Sequence, residues 1–325
     1  MLTHTMPVVV VLDAFKCGAR SGETTYEWLR IKFQKLHKPF SLSFVHTGTI
    51  GKVNHPTDPS YHFNGPSDVK ISYRHSLILV TDTLNKRIQA FDLKTLQFKY
   101  SIQFNNLSTG PLYMALDEMR EDDLVITFAS ALVRKYSLNG SEKTMVWECR
   151  HDQVCRASCG LVIEKSEGNI FVADCLSNCI MVLSAKGELL RNFSHEKMTP
   201  FGLAIDNDGD LWVTSFKTHN LYVISKTGKR VYLKIGKAGS EELEFQYPRG
   251  IFVENITGQI YVCDQSNHRI QVLSSIYEFV GKFGQHPTPK CKNNELNFPS
   301  GLCINERTGE LFVADKGNNR IQIFK

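Results

Sequence analysis

The chain has 325 residues, 42% of them hydrophobic and 22% charged, with a formal net charge of +5 and a pI near 8.6. These proportions exclude a disordered chain and leave room for one large repeat fold or two compact domains. No apolar run reaches the length of about 18 residues that a membrane-spanning helix needs, and the mild basic balance permits a phosphate-binding patch without requiring one.

The first 40 residues stand apart from the rest of the chain. Met6 to Leu12 is apolar but short, and Asp13-Ala14-Phe15-Lys16 after it is a poor cleavage site, so it reads as a strand and not as a signal peptide. Glu23 to Lys38 has helical spacing, with Trp28, Ile31 and Leu36 among basic residues and Thr24 or Thr25 as a cap. Residues 1–40 are therefore expected to be a short strand and a helix packed on or beside the main fold, with a partner-binding arm as the alternative.

From residue 41 onward one phrase recurs. It begins with a Pro-x-Gly step and an apolar run, continues with a Val-x-Asp strand, and ends with Asn-x-Arg and an alternating Ile-x-Val strand. The first copy runs through Pro66, Asp82, Asn85 and Arg87, and the second is decayed, with Gly110-Pro111, Leu124 to Thr127, and Phe128 in the aspartate slot. The third holds Gly160, Asp174 and Asn178; the fourth holds Pro200, Gly202 and Leu211-Trp212-Val213, with Ser215 in place of aspartate. The fifth, Pro248 through Asp264, Asn267 and Arg269, and the sixth, Pro299 through Asp315, Asn318 and Arg320, are complete. The aspartate slot falls at 82, 128, 174, 215, 264 and 315. That period of about 41 to 51 residues suits a blade of four short strands.

The expected architecture is all-β: a six-bladed β-propeller of four-stranded blades over residues 41–325. The Gly permits close backbone approach near the channel. Asp82, Asp174, Asp264 and Asp315, with Asn85, Asn178, Asn267 and Asn318, are assigned to turn stabilisation, the aspartate bonding the backbone of the turn after it. The last copy stops at Lys325 after its third strand. An unpaired sheet edge there is a liability, and Ser43 to Gly51 has the glycine-ended character of an outer strand. Residues 41–51 are thus expected to complete the sixth blade beside Ile321 to Phe324.

The phrase, most fully in Val262 to Val272 and Val313 to Ile323, resembles the NHL repeat family over residues 41–325. Relatives of that family imply three functions. One is a non-catalytic scaffold that binds a protein partner through its top-face loops, including as a substrate adaptor in ubiquitin-linked regulation; no RING-like Cys/His array precedes residue 41. The second is single-stranded RNA binding through a positive top face, with Arg87, Arg249, Arg269, Lys316 and Arg320 as cations and Phe216 and Tyr247 for stacking, opposed by Glu241, Glu242 and Glu244. The third is a metal-dependent lyase or lactonase-like enzyme. No nucleophile elbow, HExxH or phosphate loop is present, and among the histidines only His219 and His268 occupy comparable turn positions.

The scaffold is the preferred reading, its binding residues being Arg87, Phe216, His219, Tyr247, Arg249, His268, Arg269, Lys316 and Arg320, with no catalytic residue and no cofactor. Nine cysteines form an odd, scattered set, which suits a reduced, cytoplasmic protein. Cys155, Cys159, Cys175 and Cys179 straddle two neighbouring loops and are a candidate zinc set. A monomeric ring without membrane attachment completes the expectation.

Overall fold

The computed structural model describes residues 44–51, 55, 57–139, 143–150, 155–286, 288 and 292–325. The strand expected at Met6 to Leu12 and the helix expected at Glu23 to Lys38 lie outside the described residues. Six four-stranded antiparallel sheets follow one another along the chain, each laid out from inner to outer strand in sequence order except the last. The inner strands are Pro66–Ser72, Pro111–Asp117, Ser158–Ile163, Pro200–Ile205, Pro248–Val253 and Pro299–Asn305.

Second and third strands are sandwiched between neighbouring blades, so they are buried on both faces. Ile170–Asp174 and Cys179–Leu183 are buried at every residue, whereas the outer strand Met145–Arg150 alternates between exposed and half-buried. The core is accordingly a series of inter-blade clusters. Val125 and Val133 of the second blade, Phe171 and Met181 of the third, and Val213 and Tyr222 of the fourth pack in one of them.

The ring closes as expected. The strand His46–Gly51 pairs antiparallel with Arg320–Phe324, in the register His46↔Phe324, Ile50↔Ile321 and Gly51↔Arg320. Val45 and Lys325 extend the ladder by exchanging backbone hydrogen bonds of 2.8 and 2.9 Å. Ile50 is buried among Val69, Phe91 and Ile321. Phe44 stacks on Phe283 of the fifth blade, with ring centroids 4.2 Å apart.

Inside three blades a buried carboxylate organises the repeat phrase. Asp82 Oδ2 accepts from Asn85 Nδ2 (2.9 Å), Arg87 Nε (2.7 Å) and Gln89 Nε2 (3.2 Å), while Oδ1 accepts from the backbone N–H of Asn64 at 2.7 Å. Asp264 does the same with Asn267, Arg269, Gln271 and the N–H of Gln246. Asp315 does it with Asn318, Arg320, Gln322 and the N–H of Asn297. The guanidinium then reaches outward: Arg320 donates to the carbonyls of Lys292 and Glu295 at 3.0 and 2.9 Å. The aspartate thus reaches the entry to the inner strand and bonds side chains of its turn and of the third strand, not the backbone of the turn as the spacing suggests; the expected bond to that backbone is made by Asp174.

The other blades depart from this pattern in ways their sequences explain. In the third, Asp174 gathers the backbone N–H groups of Arg156, Ala157, Leu176 and Ser177, and the side chains of Ser177 and Cys155 also bond it. Asn178 is not the counterpart of Asn85: it falls one residue later, at a left-handed φ of 55°, and Ser177 occupies the equivalent place. The fourth replaces the carboxylate with hydroxyls, Ser215 Oγ lying 2.5 Å from Thr218 Oγ1. The second puts buried apolar groups, Phe128 and Leu132, where the other blades pair aspartate with arginine, while Arg134 takes the place of Gln89 and its guanidinium lies 5.9 Å from the Phe128 ring centroid.

Removing residues 1–51 takes away the outer strand of the sixth blade, and urea unfolding followed by tryptophan fluorescence should lose its single sharp transition; a transition as steep as that of the full chain would show that the clasp is dispensable. The smaller change Ile50→Ala should cost about 2–5 kcal/mol in the same assay. Asp315→Ala leaves Arg320 buried and unpaired and should cost about 3–5 kcal/mol, whereas Ser215→Ala in the fourth blade should cost only about 1–3 kcal/mol.

Candidate functional site

Two positions of the repeat meet around one mouth of the central channel. The residue after the first residue of each inner strand is Ser67, Leu112, Cys159, Phe201, Arg249 or Ser300, and the residue after the aspartate slot is Thr83, Ala129, Cys175, Phe216, Gln265 or Lys316. In the first, third and fourth blades the two touch. Thr83 Oγ1 donates to Ser67 Oγ at 2.8 Å, the Cys159 and Cys175 sulfurs are 2.7 Å apart, and the Phe201 and Phe216 rings have centroids 5.3 Å apart.

The inner strands are held tightly together where the repeat has glycine. A Cβ on Gly160 would collide with the carbonyl oxygen of Phe201, and one on Gly202 with that of Arg249. Thr214 Oγ1 ties the same junction by donating to Arg249 O at 2.6 Å and accepting from Gly202 N–H at 2.7 Å. The second blade has Tyr113 at the glycine position. Its buried phenol spans the channel to Ser300 of the sixth blade, donating to the carbonyl at 3.2 Å with the hydroxyl 3.1 Å away. Asp68 stands at the same position in the first blade and is engaged by Lys70 Nζ at 2.7 Å and the N–H of Met114 at 3.1 Å.

Cationic and aromatic groups share the mouth. The Arg249 guanidinium lies 4.7 Å from the Phe201 centroid and 5.3 Å from that of Phe216, a cation–π arrangement, and its Nε is buried without a hydrogen-bond partner. Tyr247 packs on Phe216 with centroids 4.9 Å apart and is 40% exposed. Lys316 is half-buried; loss of solvent, then the charge of Arg249, pull its ammonium down to about 8.

The turns after the second strands have a task visible only in three dimensions. His219, His268 and Asn319 all adopt left-handed φ, at 57°, 55° and 52°, and each accepts a hydrogen bond from the next blade. His219 Nδ1 receives the N–H of Tyr247 at 3.1 Å, His268 Nδ1 that of Phe298 at 3.3 Å, and Asn319 Oδ1 that of Gly65 at 2.7 Å. Tyr247 and Phe298, both at φ 50°, are thereby fixed in a conformation that bulky residues avoid, with 40% and 43% of their surfaces exposed.

The nine residues expected to bind a partner divide in two. Phe216, Tyr247, Arg249 and Lys316 converge at the mouth, with His219 beneath Tyr247. Arg269 and Arg320 are buried in their carboxylate clusters and Arg87 is largely so, at 8%, 5% and 17% side-chain exposure. They hold the blade together because the same fork that bonds the aspartate also bonds loop carbonyls. His268 is buried and serves the junction with Phe298.

The candidate zinc set does not assemble. Cys159 lies within the inner strand, one residue from its start, and meets Cys175; Cys155 sits 3.3 Å from Ser158 Oγ, and Cys179 heads the third strand in the slot that arginine takes elsewhere. Among the described residues no group of three or more His, Cys, Asp or Glu side chains is placed to hold a metal ion.

Sequence reasoning missed Phe201, Tyr113, Phe298, Leu84 and Leu176. For Phe201 the signal was available in the repeat itself, by lining up the residue after each inner-strand start; Tyr113 stands one position further on, Leu84 and Leu176 two after the aspartate slot and Phe298 just before the proline, places to which the phrase draws no attention.

An NHL repeat family model matches residues 245–273 and 296–324, the fifth and sixth blades. The chain carries NHL repeats. Peptidyl-glycine alpha-amidating monooxygenase B of Xenopus laevis is 31% identical to this NHL propeller over 163 residues, 49% of this chain and 18% of the relative. Human NHL repeat-containing protein 3 is 30% identical over 159 residues, 45% of this chain and 44% of that one. The chain therefore spans less than a fifth of the amidating enzyme and under half of the second relative. Among solved structures, a streptogramin B lyase superposes with a TM-score of 0.61 at 15% identity, covering 87% of this chain and 97% of its own, which establishes likeness of fold. Among the described residues no helix is long and apolar enough to cross a membrane.

Gly202→Ala drives a methyl into the Arg249 carbonyl and should lower stability by about 1–3 kcal/mol. A urea midpoint equal to that of the wild type would show that the ring widens freely at this junction.

Proposed function

We propose that this NHL propeller is a non-catalytic binding platform whose channel-mouth face receives a protein partner carrying an acidic group flanked by apolar side chains. One observation carries the reading: four large apolar residues, Leu84, Leu176, Tyr247 and Phe298, are 65%, 58%, 40% and 43% exposed at two equivalent positions of the repeat. Those positions adjoin in space, since a Cβ on Gly65 would lie 3.2 Å from Leu84 and 3.8 Å from Lys316. Leu84 thus stands beside Lys316, and Tyr247 packs on the Phe216 ring that Arg249 covers. Exposed apolar groups around half-buried cations are the make-up of a protein interface core. Neither cation has an acidic partner among the described residues, so a carboxylate from outside gains both charges at once.

Single-stranded RNA is the weaker reading, because Arg87, Arg269 and Arg320 are engaged inside the blades. A lyase-like activity, which the names of some similar proteins carry, would need metal ligands in the channel; the six mouth positions after the inner-strand starts hold no histidine and no carboxylate, and Asp68 is paired with Lys70. As a platform the ring is also suited to present a bound substrate to a ubiquitin ligase, a narrower role within the same proposal.

The test is fluorescence-anisotropy titration of the full chain against a panel of acidic-apolar peptides, matched neutral peptides and single-stranded oligonucleotides. An acidic peptide should bind, and Arg249→Ala or Tyr247→Ala should each weaken it about 30-fold, roughly 2 kcal/mol at a hot spot. Affinity should also fall as the pH rises through about 8, where Lys316 loses its charge, and Lys316→Met should flatten that dependence. Binding confined to oligonucleotides with a steep salt dependence would overturn the proposal, as would peptide binding that ignores all three variants.

A further inference from the structure

We propose that Cys159 and Cys175 form a built thiol–disulfide site at the channel mouth, one that reacts with low-molecular-weight disulfides to close an intrachain bond. The inference is independent of the partner chemistry above. It rests on how firmly two strands hold these sulfurs together.

Ser158 pairs with Asp174 across the first two strands of the third blade, and the ladder then shifts before Leu161 pairs with Val172. That irregularity takes Cys159 out of regular alternation and sets its sulfur 2.7 Å from that of Cys175. Both sulfurs also face the carbonyl of Ala157, at 3.5 and 4.0 Å. The backbone on either side cannot drift. Asp174 binds the N–H groups of Arg156 and Ala157 before the inner strand and of Leu176 and Ser177 after the second, at 2.7 to 3.2 Å. Thr127 Oγ1 donates to Cys159 O at 2.5 Å, and Gly160 abuts the Phe201 carbonyl.

The two thiols are unequal in the way that exchange chemistry uses. Cys159 is buried and Cys175 half-exposed, so an incoming disulfide meets Cys175. The S–H of Cys159 donates to Cys175, favouring the thiolate there and holding the proton on Cys159, and the Arg249 guanidinium favours negative charge on both. Burial pushes Cys149, Cys155, Cys179 and Cys303 up to about 11 or 12, and raises Cys263 well above its usual value. Among the described residues Cys175 is the one thiol displaced toward ionisation, the condition for nucleophilic attack.

The reaction balances without a cofactor. The Cys175 thiolate attacks one sulfur of glutathione disulfide; the S–S bond of the reagent breaks, one glutathione thiolate leaves, and a mixed disulfide forms. Cys159 loses its proton to the departing thiolate and attacks Cys175 Sγ, displacing the second glutathione. Two protein thiols are oxidised to one disulfide, and one glutathione disulfide is reduced to two thiols.

The experiment uses the full chain, reduced, then exposed to glutathione disulfide, alkylated and digested with trypsin. The expected product is a cross-linked pair of peptides covering 157–165 and 166–186, with the intact mass lower by two hydrogens and restored by dithiothreitol. Because the second peptide also holds Cys179, fragmentation must place the bond on Cys175. Cys159→Ser should accumulate a single glutathionyl group on Cys175, and Cys175→Ser should leave Cys159 unmodified. Phenylarsine oxide, which bridges paired thiols, should protect the wild type from the reagent. A bond mapped to Cys179 or Cys155, or a wild-type chain in which Cys175 reacts no faster than Cys263, overturns the proposal without recourse to the variants.

Discussion

A buried carboxylate that must satisfy four donors sets the terms for most of this ring. Asp82, Asp264 and Asp315 are wholly inaccessible to solvent, and a charge so placed is tolerated only when every lone pair is met. Meeting them requires an amide, a guanidinium and a second amide on one side of the turn and a backbone N–H on the other. The strand order, the reach of the arginine to upstream carbonyls and the position of the inner-strand entry all follow. Where the carboxylate is kept without the arginine, as at Asp174, backbone N–H groups substitute and the freed arginine slot holds Cys179. Where it is lost, as at Phe128, the arginine slot turns apolar with it, as Leu132, and the buried Arg134 in the glutamine slot pairs with Glu148 instead, because a half-satisfied polar set is worse than none.

This coupling explains what was readable in the sequence. Six blades, their four strands and the closing role of residues 46–51 were all legible, since each rests on local strand patterning and on a phrase repeated at fixed intervals. The fate of the repeat arginines was harder to read. Arg269 resembles a surface cation in one dimension because its aspartate lies five residues back and the carbonyls it binds lie in the preceding loop. Asn178 misled for the opposite reason: it looks like a member of the phrase but is displaced by one position, which exchanges an amide bonded to the aspartate for a left-handed turn residue.

The channel mouth was half legible. Arg249, Phe216, Tyr247 and Lys316 announce themselves by chemistry, and they do converge. Phe201 and Tyr113 sit in stretches that read as ordinary inner strand, and only the ring places them against residues from other blades. The four cysteines show the same limit. Their spacing suggests two facing loops, but the shift in ladder register after Ser158 pairs Cys159 with Cys175 alone. Functional character here comes from departures: the symmetric positions make the ring, and the places where symmetry fails, an arginine on two rings, a tyrosine in a glycine slot, a dithiol, make the surface distinctive.

The closing strand has a mechanical consequence. His46 stands opposite Phe324, and residues 45 and 325 bond just beyond them, so the entering and departing ends of the ring leave from the same edge. Tension applied across residues 44 and 325 would peel the ladder apart one hydrogen bond at a time, beginning at Val45 and ending at Gly51, and would never load all of its bonds in shear. A ring whose blades are clasped into one cooperative body is thus, along this single direction, built to open like a zip.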